Sequence, residues 1–395
     1  MSTLADTPRR MADLARDIAS RGFTHIDTFA WRDLDDPDAG GSEVHADHVF
    51  RRIVSSGISI THRTSSKSTP RMFRRNGYSI IQRGSRYGVF PRIIFRNLLR
   101  RRPNSSIIVE IWNGVPWFAR LWARAPRVTI MHHIHEDMWR DSLPRILAPF
   151  GRLLETKLAP PFYKDAPLIT LAHSTRRELI DRGFHPERVH VAQPGIDESF
   201  FVDSPGGVDR LQNPLLVAVG RLAPVKRFDL LVATFARIQQ FRPGARLVII
   251  GDGPEADNLA QLVRDLGLTE CVTLAGRVSR EELVATYRDA ALLVSMSHSE
   301  GWGMTITEAA ASGTPCVVTN NVGHRGAVID GETGLLVSDD DMFANRVNDL
   351  LEDGALWNRM AAQSFAHAKT FSWDLCAEQI LTVIANEVRR QRDDA

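Results

Sequence analysis

The sequence of 395 residues contains little cysteine and no long apolar run. Its three cysteines, Cys271, Cys316 and Cys376, show neither metal-site nor disulfide spacing, so we expect free, buried thiols in a reducing compartment. Because no stretch of about 18 apolar residues occurs, we expect no membrane-spanning helix. The first residues form a polar, charged segment without the apolar core of a secretory signal. Together these absences predict a cytoplasmic protein.

Acidic residues are absent from one long stretch of the chain. Between His48 and Val109 there is no Asp or Glu, whereas fourteen Lys and Arg residues occur there, although the net charge of the whole chain is only +2. This basic segment, 51–102, is compatible with nucleic acid, with an anionic membrane at the inner face of the cell, with an anionic acceptor, or with a solvated basic face. No nucleic-acid-binding motif accompanies it, so we predict no nucleic-acid partner and keep the membrane contact as a candidate.

Short apolar runs alternate with segments of helical periodicity over nearly the whole sequence, which is typical of parallel α/β units. In the first half, the runs predict strands at 24–30, 58–62, 79–82, 107–111, 128–131, 168–172 and 189–192. In the second half the pattern starts again, with strands predicted at 215–219, 247–250, 272–274, 292–295 and 316–319. Because single cores stop growing at roughly 250–300 residues, we expect two doubly wound domains.

Local signals predict where some helices begin and where the domains divide. Pairs with the spacing of a capping box predict helix starts at Thr175 with Glu178 and at Ser279 with Glu282. Turn-forming residues at 193–197 and 204–207 interrupt the periodicity and mark a linker. We therefore predict Rossmann-like domains over 1–195 and 196–372, and a C-terminal helix over 373–395 that returns to the N-terminal domain.

Glycines, cations and histidines cluster directly after the predicted strands. Ligands bind at the carboxyl ends of the strands in open parallel sheets, so two sheets with these edges facing each other would form one ligand cleft. The clusters are Gly40-Gly41, His132-His133, Gly220-Arg221, Gly251-Asp252-Gly253, Gly276-Arg277 and Glu300-Gly301-Trp302-Gly303.

The last of these clusters is the most informative. Gly301 and Gly303 delay the start of a helix and let the backbone approach a ligand, while good helix formers follow from Met304. A helix that begins near Met304 directs free N–H groups and the positive end of its dipole at a diphosphate. Glu300 precedes this helix and Glu308 lies about one turn inside it, so the two carboxylates can reach different parts of one elongated ligand. The alternative is a solvated loop acid and a helix-surface glutamate.

Two cations follow the predicted strand at 215–219. Arg221 and Lys226 lie close to Gly220 in the sequence. A diphosphate leaving group gains negative charge as its bond breaks, and fixed cations stabilise that charge. Surface cation pairs are common, so this pair indicates a phosphate site only together with the glutamate cluster.

These motifs, in this order, resemble those of the family 4 glycosyltransferases, which have the GT-B fold of two Rossmann-like domains facing each other across a cleft. In the C-terminal half, the resemblance rests on Gly220-Arg221 with Lys226, Gly251-Asp252-Gly253-Pro254, Gly276-Arg277-Val278, the two glutamates with seven residues between them, and Gly331-Glu332-Thr333-Gly334-Leu335-Leu336-Val337. In the N-terminal half it rests on Gly40-Gly41, the histidines after 128–131, and Pro194-Gly195-Ile196-Asp197. It implies a retaining enzyme that uses a nucleotide sugar without a metal or further cofactor. By the habit of the family, the resemblance also implies a UDP-sugar as the donor.

The resemblance also implies roles for individual residues. Arg221 and Lys226 would bind the diphosphate, Glu300 would contact hydroxyls of the donor sugar, and Glu308 would accept hydrogen bonds from the ribose. The backbone around Arg277 and Val278 would meet the base, and Gly41 would let the first loop approach the phosphate. His132 matches the histidine beside the reacting sugar, although His133 is only one residue away. The predicted catalytic residues are His132, Arg221, Lys226 and Glu300. The predicted donor-binding residues are Gly40, Gly41, Gly220, Gly253, Arg277, Val278, Gly301, Trp302, Gly303, Met304 and Glu308.

The sequence departs from the family pattern at two places. Trp302 stands where phenylalanine is common, a substitution that leaves activity expected. The segment 322–328 lacks the acidic residue that many relatives carry, so we assign no role to it.

The implied reaction is front-face displacement, in which a phosphate oxygen of the leaving group helps to take the proton of the acceptor. A double-displacement glycosidase needs two carboxylates about 5–5.5 Å apart across the bond, whereas Glu300 and Glu308 are expected at different parts of the donor. A same-fold epimerase, hydrolase or phosphorylase and a non-catalytic nucleotide-sugar-binding protein stay open as alternatives. The acceptor would be a hydroxyl of a glycan, a lipid-linked molecule or a small molecule.

Two clusters suggest a metal only superficially. The aspartates at 33–38 resemble a metal-binding acid pair, but we interpret them as part of a solvated loop. His132, His133 and His135 are too close in sequence to share one ion easily. We therefore predict no metal.

Overall fold

The computed structural model of the protein describes residues 6–66, 70–99, 105–135, 138–139, 146–205 and 207–393. The chain divides into two compact units. The first comprises Met1–Gly195 and Ser372–Ala395, and the second comprises Ile196–Phe371. No helix among the described residues is long and apolar enough to cross a membrane.

The first unit is built on an eight-stranded sheet with the order β3-β4-β2-β1-β5-β6-β7-β8. Strands β3 and β4 pair antiparallel, and the other neighbours pair parallel. All seven residues of β5 are buried, as expected for a central parallel strand covered on both faces. The strands are β1 His25–Phe29, β2 Ser59–Thr64, β3 Arg71–Arg75, β4 Tyr78–Gln82, β5 Ser106–Trp112, β6 Arg127–Met131, β7 Leu168–Thr170 and β8 Val189–Val191.

Helices cover this sheet, and one of them comes from the far end of the sequence. The C-terminal helix, Trp373–Asp393, packs against the first two helices of the unit. Its ion pairs with them are Arg10–Glu378, Arg52–Asp374 and Arg389–Asp17. The other helices are α1 Thr7–Ser20, α2 Gly41–Ser55, α3 Val89–Leu99, α4 Ala119–Trp122, α5 Ala148–Leu153 with a π-helical continuation Leu154–Leu158, α6 Pro160–Tyr163 and α7 His173–Asp181.

The second unit is built on a six-stranded parallel sheet with the order β11-β10-β9-β12-β13-β14. Its strands are β9 Leu215–Val219, β10 Arg246–Ile250, β11 Val272–Gly276, β12 Leu292–Ser295, β13 Cys316–Thr319 and β14 Gly334–Val337. Its helices are α8 Phe228–Phe241, α9 Ala256–Asp265, α10 Arg280–Asp289, α11 Met304–Ala311, α12 His324–Ala327, α13 Phe343–Glu352 and α14 Gly354–Ala368. The order places β9 and β12 at the centre, so the loops that follow them lie side by side at the carboxyl edge.

Most element predictions are confirmed. Every predicted strand lies within two residues of an observed one, and α11 begins at Met304 as expected. Ser279 caps α10 by accepting a hydrogen bond from the backbone N–H of Glu282, and the Glu282 side chain completes the capping box. The capping box at Thr175 is wrong: α7 begins at His173, so Thr175 lies inside its first turn.

Candidate functional site

In the second unit, the loops after β9 and β10 lie in direct contact. A Cβ atom on Gly251, whose φ is +142°, would lie 1.9 Å from the carbonyl oxygen of Gly220. A Cβ on Gly253 would lie 2.3 Å from the carbonyl oxygen of Leu222. The backbone N–H of Leu222 donates to the carbonyl of Asp252 at 3.0 Å. Only glycine at 251 and 253 therefore allows the two loops to stack at this edge.

Lys226 and Glu300 meet at the same edge of the sheet. The ammonium group of Lys226 donates to Oε1 of Glu300 at 2.5 Å. The turn Pro224–Lys226 is held in place because the carbonyl of Val225 accepts hydrogen bonds from the His298 N–H at 2.9 Å and from the Ser297 hydroxyl at 3.3 Å. The cation predicted for phosphate and the carboxylate predicted for sugar thus pair with each other.

Glu300 is ionised at neutral pH despite its burial. Burial raises the pKa of Glu300, whereas the charge of Lys226, the neighbouring His324 ring and hydrogen bonds from Lys226 and Ser297 lower it more, so the net pKa is below its usual value. The side chain keeps 17% exposure, enough for an incoming hydroxyl to reach it.

The glycine after Trp302 sets the start of α11. Gly303 adopts a φ of +101° and caps this helix at Met304. The helix N-terminus therefore follows directly on the loop that carries Glu300 and Gly301, and its N–H groups and dipole favour a negative ligand. Arg221 lies on the neighbouring loop after β9, with an exposed side chain.

Trp302 packs inside the second unit. Its side chain is 2% exposed and contacts the ring of Phe371 edge to face, with centroids 5.3 Å apart. The indole therefore stabilises the fold of the loop, and a donor contact from Trp302 falls to its backbone.

Glu308 lies inside α11 beside a buried tyrosine. The hydroxyl of Tyr287 donates to Oε2 of Glu308 at 3.3 Å. Burial raises the pKa of Glu308 to about 7; the Tyr287 hydrogen bond and Arg280 oppose that rise, and Asp197 adds to it. Arg280 itself pairs with Asp197 at 3.2 Å. Glu308 thus carries a fractional negative charge at neutral pH.

The two residues predicted to meet the base lie just beyond β11. Arg277 is exposed and its Nε lies 3.7 Å from a carboxylate oxygen of Asp252. Val278 is half-buried and precedes the cap of α10. The structure thus brings Arg277 to the loop that also contains Gly253.

The segment after β13, to which no role was assigned, packs against Glu300. A Cβ on Gly323 would lie 2.3 Å from the carbonyl oxygen of Glu300. The adjoining His324 is 1% exposed and its Nδ1 lies 2.7 Å from the carbonyl oxygen of Thr319. Asn321 donates from its amide to the carbonyl of Ser297 at 3.0 Å. The sequence contained a signal for this segment, because Gly323 follows the predicted strand 316–319 by four residues, closer than Gly301 follows the strand 292–295.

In the first unit, the two glycines after β1 lie at the start of α2. Gly40 is the N-cap and Gly41 is the first helical residue. The N–H of Gly40 donates to a carboxylate oxygen of Glu43 at 2.8 Å, and Arg32 lies 3.3 Å from the other oxygen. The second predicted phosphate-approaching loop is therefore a helix N-terminus as well.

The interpretation of Asp33 as part of a solvated loop is wrong. Asp33 is 4% exposed and accepts hydrogen bonds from both Nη atoms of Arg75, at 2.9 and 3.0 Å, and from Gln82 at 2.8 Å. These partners lie on the antiparallel hairpin of β3 and β4, which the sequence pattern missed in part. Asp33 is thus a structural anchor of that hairpin.

Nearby acidic residues pair with more of the positive charge in the basic segment 51–102 than its sequence indicates. Several of its arginines pair with acids from other parts of the first unit. The pairs are Arg52–Asp374, Arg63–Asp27, Arg71–Asp35 and Arg75–Asp33. Its positively charged surface is reduced accordingly.

The two candidate histidines after β6 have different surroundings. His132 is 3% exposed, and its Nε2 lies 3.4 Å from Nδ1 of His45. Burial lowers the pKa of His132 to about 4, so its ring is neutral at pH 7. His133 stacks instead on His135, with ring centroids 4.4 Å apart. Within the described ranges, no group of three or more His, Cys, Asp or Glu side chains could hold a metal ion.

Two family models match successive parts of the chain. The model described as Glycosyltransferase Family 4 matches residues 39–200, and the model described as Glycosyl transferases group 1 matches residues 207–367. Together they cover the larger part of each unit.

Solved structures resemble the whole chain. A sucrose-phosphate synthase from Thermosynechococcus elongatus matches with a TM-score of 0.75 at 20% identity, covering 94% of this chain and 99% of that one. The Anabaena protein HepE, in complex with UDP and glucose, matches with a TM-score of 0.66 at 17% identity, covering 94% of this chain and 100% of that one. At these identities the likeness shows the fold alone.

Several sequence relatives carry the same name. The D-inositol 3-phosphate glycosyltransferase of Corynebacterium glutamicum is 31% identical over 307 residues, which are 69% of this chain and 70% of the relative. The proteins of that name from Acidothermus cellulolyticus and Kineococcus radiotolerans are 35% and 37% identical, but the chain spans only 55% and 57% of their length. With both domain models matched and a GT-B architecture in place, the chain belongs to the family 4 glycosyltransferases.

Proposed function

We propose that the protein is a retaining glycosyltransferase that moves a sugar from a nucleoside-diphosphate donor to a hydroxyl acceptor without a metal ion. The observation that carries this proposal is the contact between Lys226 and Glu300 immediately ahead of α11. A cation, a carboxylate and a helix N-terminus there offer partners for a phosphate, a sugar hydroxyl and a second phosphate oxygen.

The reaction follows from an exchange of partners at this contact. When the donor binds, Lys226 leaves Glu300 for a diphosphate oxygen, with Arg221 as a second cation on the same loop. Glu300, still ionised, then accepts hydrogen bonds from the sugar. The bond from the anomeric carbon to the diphosphate breaks, the acceptor oxygen bonds to the same face, and a phosphate oxygen takes the acceptor proton. Because both bonds lie on one face, the anomeric configuration is retained.

The nucleoside lies along α11 in this proposal. Glu308 accepts hydrogen bonds from the ribose hydroxyls, and the backbone at Arg277 and Val278 meets the base. In the first unit, Gly41 approaches the phosphates and His132 contacts the sugar. We propose a UDP-sugar as donor, which the UDP complex of HepE supports.

For the acceptor, we propose a hydroxyl of a small phosphorylated polyol, as the shared name of the relatives indicates. A glycan and a lipid-linked acceptor are the competing classes. D-inositol 3-phosphate is thus the first acceptor to assay, beside a cell extract that supplies the other two.

The test is incubation of the purified protein with a panel of sugar nucleotides, with and without acceptor. We expect slow release of nucleoside diphosphate that an acceptor accelerates, and a product whose anomeric NMR coupling matches that of the donor. Interconversion of sugar isomers without release would indicate an epimerase instead. An inverted product would overturn the front-face reaction.

We also propose that the basic segment contacts anionic lipid at the inner face of the membrane. Helix α3 carries exposed Phe95 (64%) and Leu98 (59%) beside an exposed Arg92. Apolar side chains next to cations suit the interface of an anionic bilayer.

Sedimentation with vesicles that contain phosphatidylglycerol tests this contact. The protein should sediment with the vesicles at low salt and stay in the supernatant at high salt. A Phe95→Ser, Leu98→Ser variant should bind less, and a Phe241→Ser control should bind normally. No sedimentation at low salt would rule the contact out.

A further inference from the structure

Three buried polar side chains form a line in the first unit. Cys376 lies on the C-terminal helix, His45 on α2, and His132 directly after β6. The Cys376 sulfur lies 3.6 Å from Nε2 of His45, and Nδ1 of His45 lies 3.4 Å from Nε2 of His132. Each link is within hydrogen-bonding reach, so the three groups form one chain of contacts.

All three side chains of the line are buried, and the His132 end has a polar atom without a hydrogen-bond partner among the described residues. Cys376, His45 and His132 are 0%, 1% and 3% exposed. At the His132 end, Nδ1 is buried and has no hydrogen-bond partner among the described residues. An unpaired polar atom in a buried ring is unfavourable, so a ligand atom that reaches it gains a partner there.

The positions of the hydrogens follow from the donor inventory. A neutral imidazole has one N–H donor and one nitrogen lone pair. The tautomer of one ring therefore determines whether the hydrogen-bonded nitrogen of the next ring carries a proton. The thiol can donate to His45 at 3.6 Å or to the carbonyl of Ala192 at 3.9 Å. If the thiol donates along the shorter contact, its S–H points to Nε2 of His45. His45 then carries its proton on Nδ1 and donates it to Nε2 of His132.

Both histidines are neutral, as this order requires. Burial lowers the pKa of His132 to about 4. Burial, and then the neighbouring His132 and His48, lower the pKa of His45 well below its usual value. A second proton on either ring is therefore disfavoured at pH 7.

We propose that Cys376 and His45 are positioning residues that hold His132 as its Nδ1–H tautomer, so that this N–H donates to an oxygen of the donor sugar. The last clause rests on the proposed function, because it takes His132 as the histidine beside the sugar. The tautomer itself is a property of the free protein and does not depend on any ligand. Cys376 thereby links the C-terminal helix to His132, which lies more than 200 positions earlier in the sequence.

Nitrogen-15 NMR of histidine-labelled protein tests the tautomer directly. Long-range proton–nitrogen correlations distinguish the two ring nitrogens, and the His132 signals are assigned by their loss in His132→Asn. We expect Nδ1 of His132 to be protonated and Nε2 to be unprotonated at pH 7. A protonated Nε2, or an averaged mixture, would overturn the relay even if the enzyme is active.

Variants test whether the Cys376 thiol sets the tautomer of His132. Cys376→Ala removes the donor to His45 and should populate the Nε2–H tautomer of His132, whereas Cys376→Ser retains a donor and should restore Nδ1–H. Cys316→Ala, which removes a buried free thiol of the second unit, is the matched control and should leave the tautomer unchanged. An unchanged His132 spectrum in Cys376→Ala would contradict the role of the thiol.

Kinetics separate the relay from the proposed function. His45→Phe should lower kcat by about tenfold with the donor KM within about twofold, because the lost interaction acts on the reacting sugar. A correct tautomer in the wild type with no effect of His45→Phe on kcat would refute the catalytic use of His132 and leave the relay standing. An active wild-type enzyme in which Nδ1 of His132 is unprotonated would refute the relay alone.

Discussion

Lys226 and Glu300, 74 positions apart in the sequence, are joined by a hydrogen bond of 2.5 Å at the carboxyl edge of the second sheet. Lys226 helps to keep the carboxylate of Glu300 ionised at a partly shielded site. In the proposed reaction, a diphosphate would compete for the ammonium group and sugar hydroxyls would compete for the carboxylate. We therefore propose that the pair is a preformed site in which the donor replaces an internal contact.

Removal of either cation should slow transfer. Arg221→Ala and Lys226→Ala should each lower kcat/KM by more than about tenfold, because less positive charge faces the leaving group. Arg237→Ala, an exposed arginine of α8 paired with Asp341, is the matched control. Steady-state kinetics with circular dichroism as the check on folding measures the effect. Normal turnover in both site variants would remove the diphosphate role.

Gly323→Ala should distort the loop that carries Glu300. The added Cβ would lie 2.3 Å from the Glu300 carbonyl oxygen, so backbone must move. We expect a lower melting temperature. We also expect a loss of activity larger than the reduced stability alone would cause. Gly207→Ala is the control, since a Cβ there meets nothing within 4 Å. If the two variants have the same melting temperature and the same activity, the contact at Gly323 does not contribute to function.

Trp302→Phe should retain activity. The ring still packs on Phe371, and the indole N–H that is lost is buried without a hydrogen-bond partner among the described residues. Trp302→Ala should instead destabilise the protein by about 3–5 kcal/mol through the cavity it leaves. Urea unfolding and kinetics distinguish the two. A Trp302→Phe variant that folds but is inactive would place the indole on the ligand.

Glu308 should make both stability and donor binding depend on pH. Its folded pKa of about 7 lies above the ordinary 4.5, so the folded state binds the proton more tightly. That contribution to the free energy of unfolding is complete below pH 4.5 and is lost as the pH rises to about 7. In the proposed contact, the ribose hydroxyls donate hydrogen bonds to the ionised carboxylate of Glu308. Donor affinity should therefore rise between pH 6 and 8. Both dependences should flatten in Glu308→Gln.

Glu110 provides the matched control for that experiment. Burial raises its pKa to about 7 as well, but it lies in the first unit and accepts hydrogen bonds from Thr129 and Tyr163. Glu110→Gln should change the pH dependence of stability and leave that of donor affinity unchanged. If Glu308→Gln also leaves donor affinity unchanged across this range, the ribose contact is wrong.

Local patterns were sufficient for most of the fold. The run Leu292–Val294 is apolar and becomes the buried part of a central strand, as such runs do in parallel sheets. The strand Arg71–Arg75 was missed because it is antiparallel, lies at the sheet edge and is rich in arginine. Its stability comes from tertiary partners such as Asp33, which no local pattern reveals. The capping-box spacing at Thr175 failed because the same four-residue spacing also occurs inside a helix.

The candidate site was predicted in outline and missed in detail. Strand ends followed by glycine correctly indicated the edge where Gly220 and Gly251 meet. The spacing of the motifs could not show that Lys226 binds Glu300, or that Gly323 packs beneath it, because these contacts join distant loops. For the domain edges, the prediction placed breaks after 195 and 372, and the structure divides after Gly195 and Phe371.

The most direct measurement is calorimetric titration of wild type, Lys226→Ala and Glu300→Gln with nucleoside diphosphates and the matching sugar nucleotides. We predict that Lys226→Ala weakens both kinds of ligand by at least about tenfold, since both carry the diphosphate. Glu300→Gln should bind the diphosphate at least as tightly as wild type, because Lys226 is released, yet bind the sugar nucleotide more weakly. Unchanged diphosphate affinity in Lys226→Ala would contradict the exchange of partners on which the proposed transfer depends.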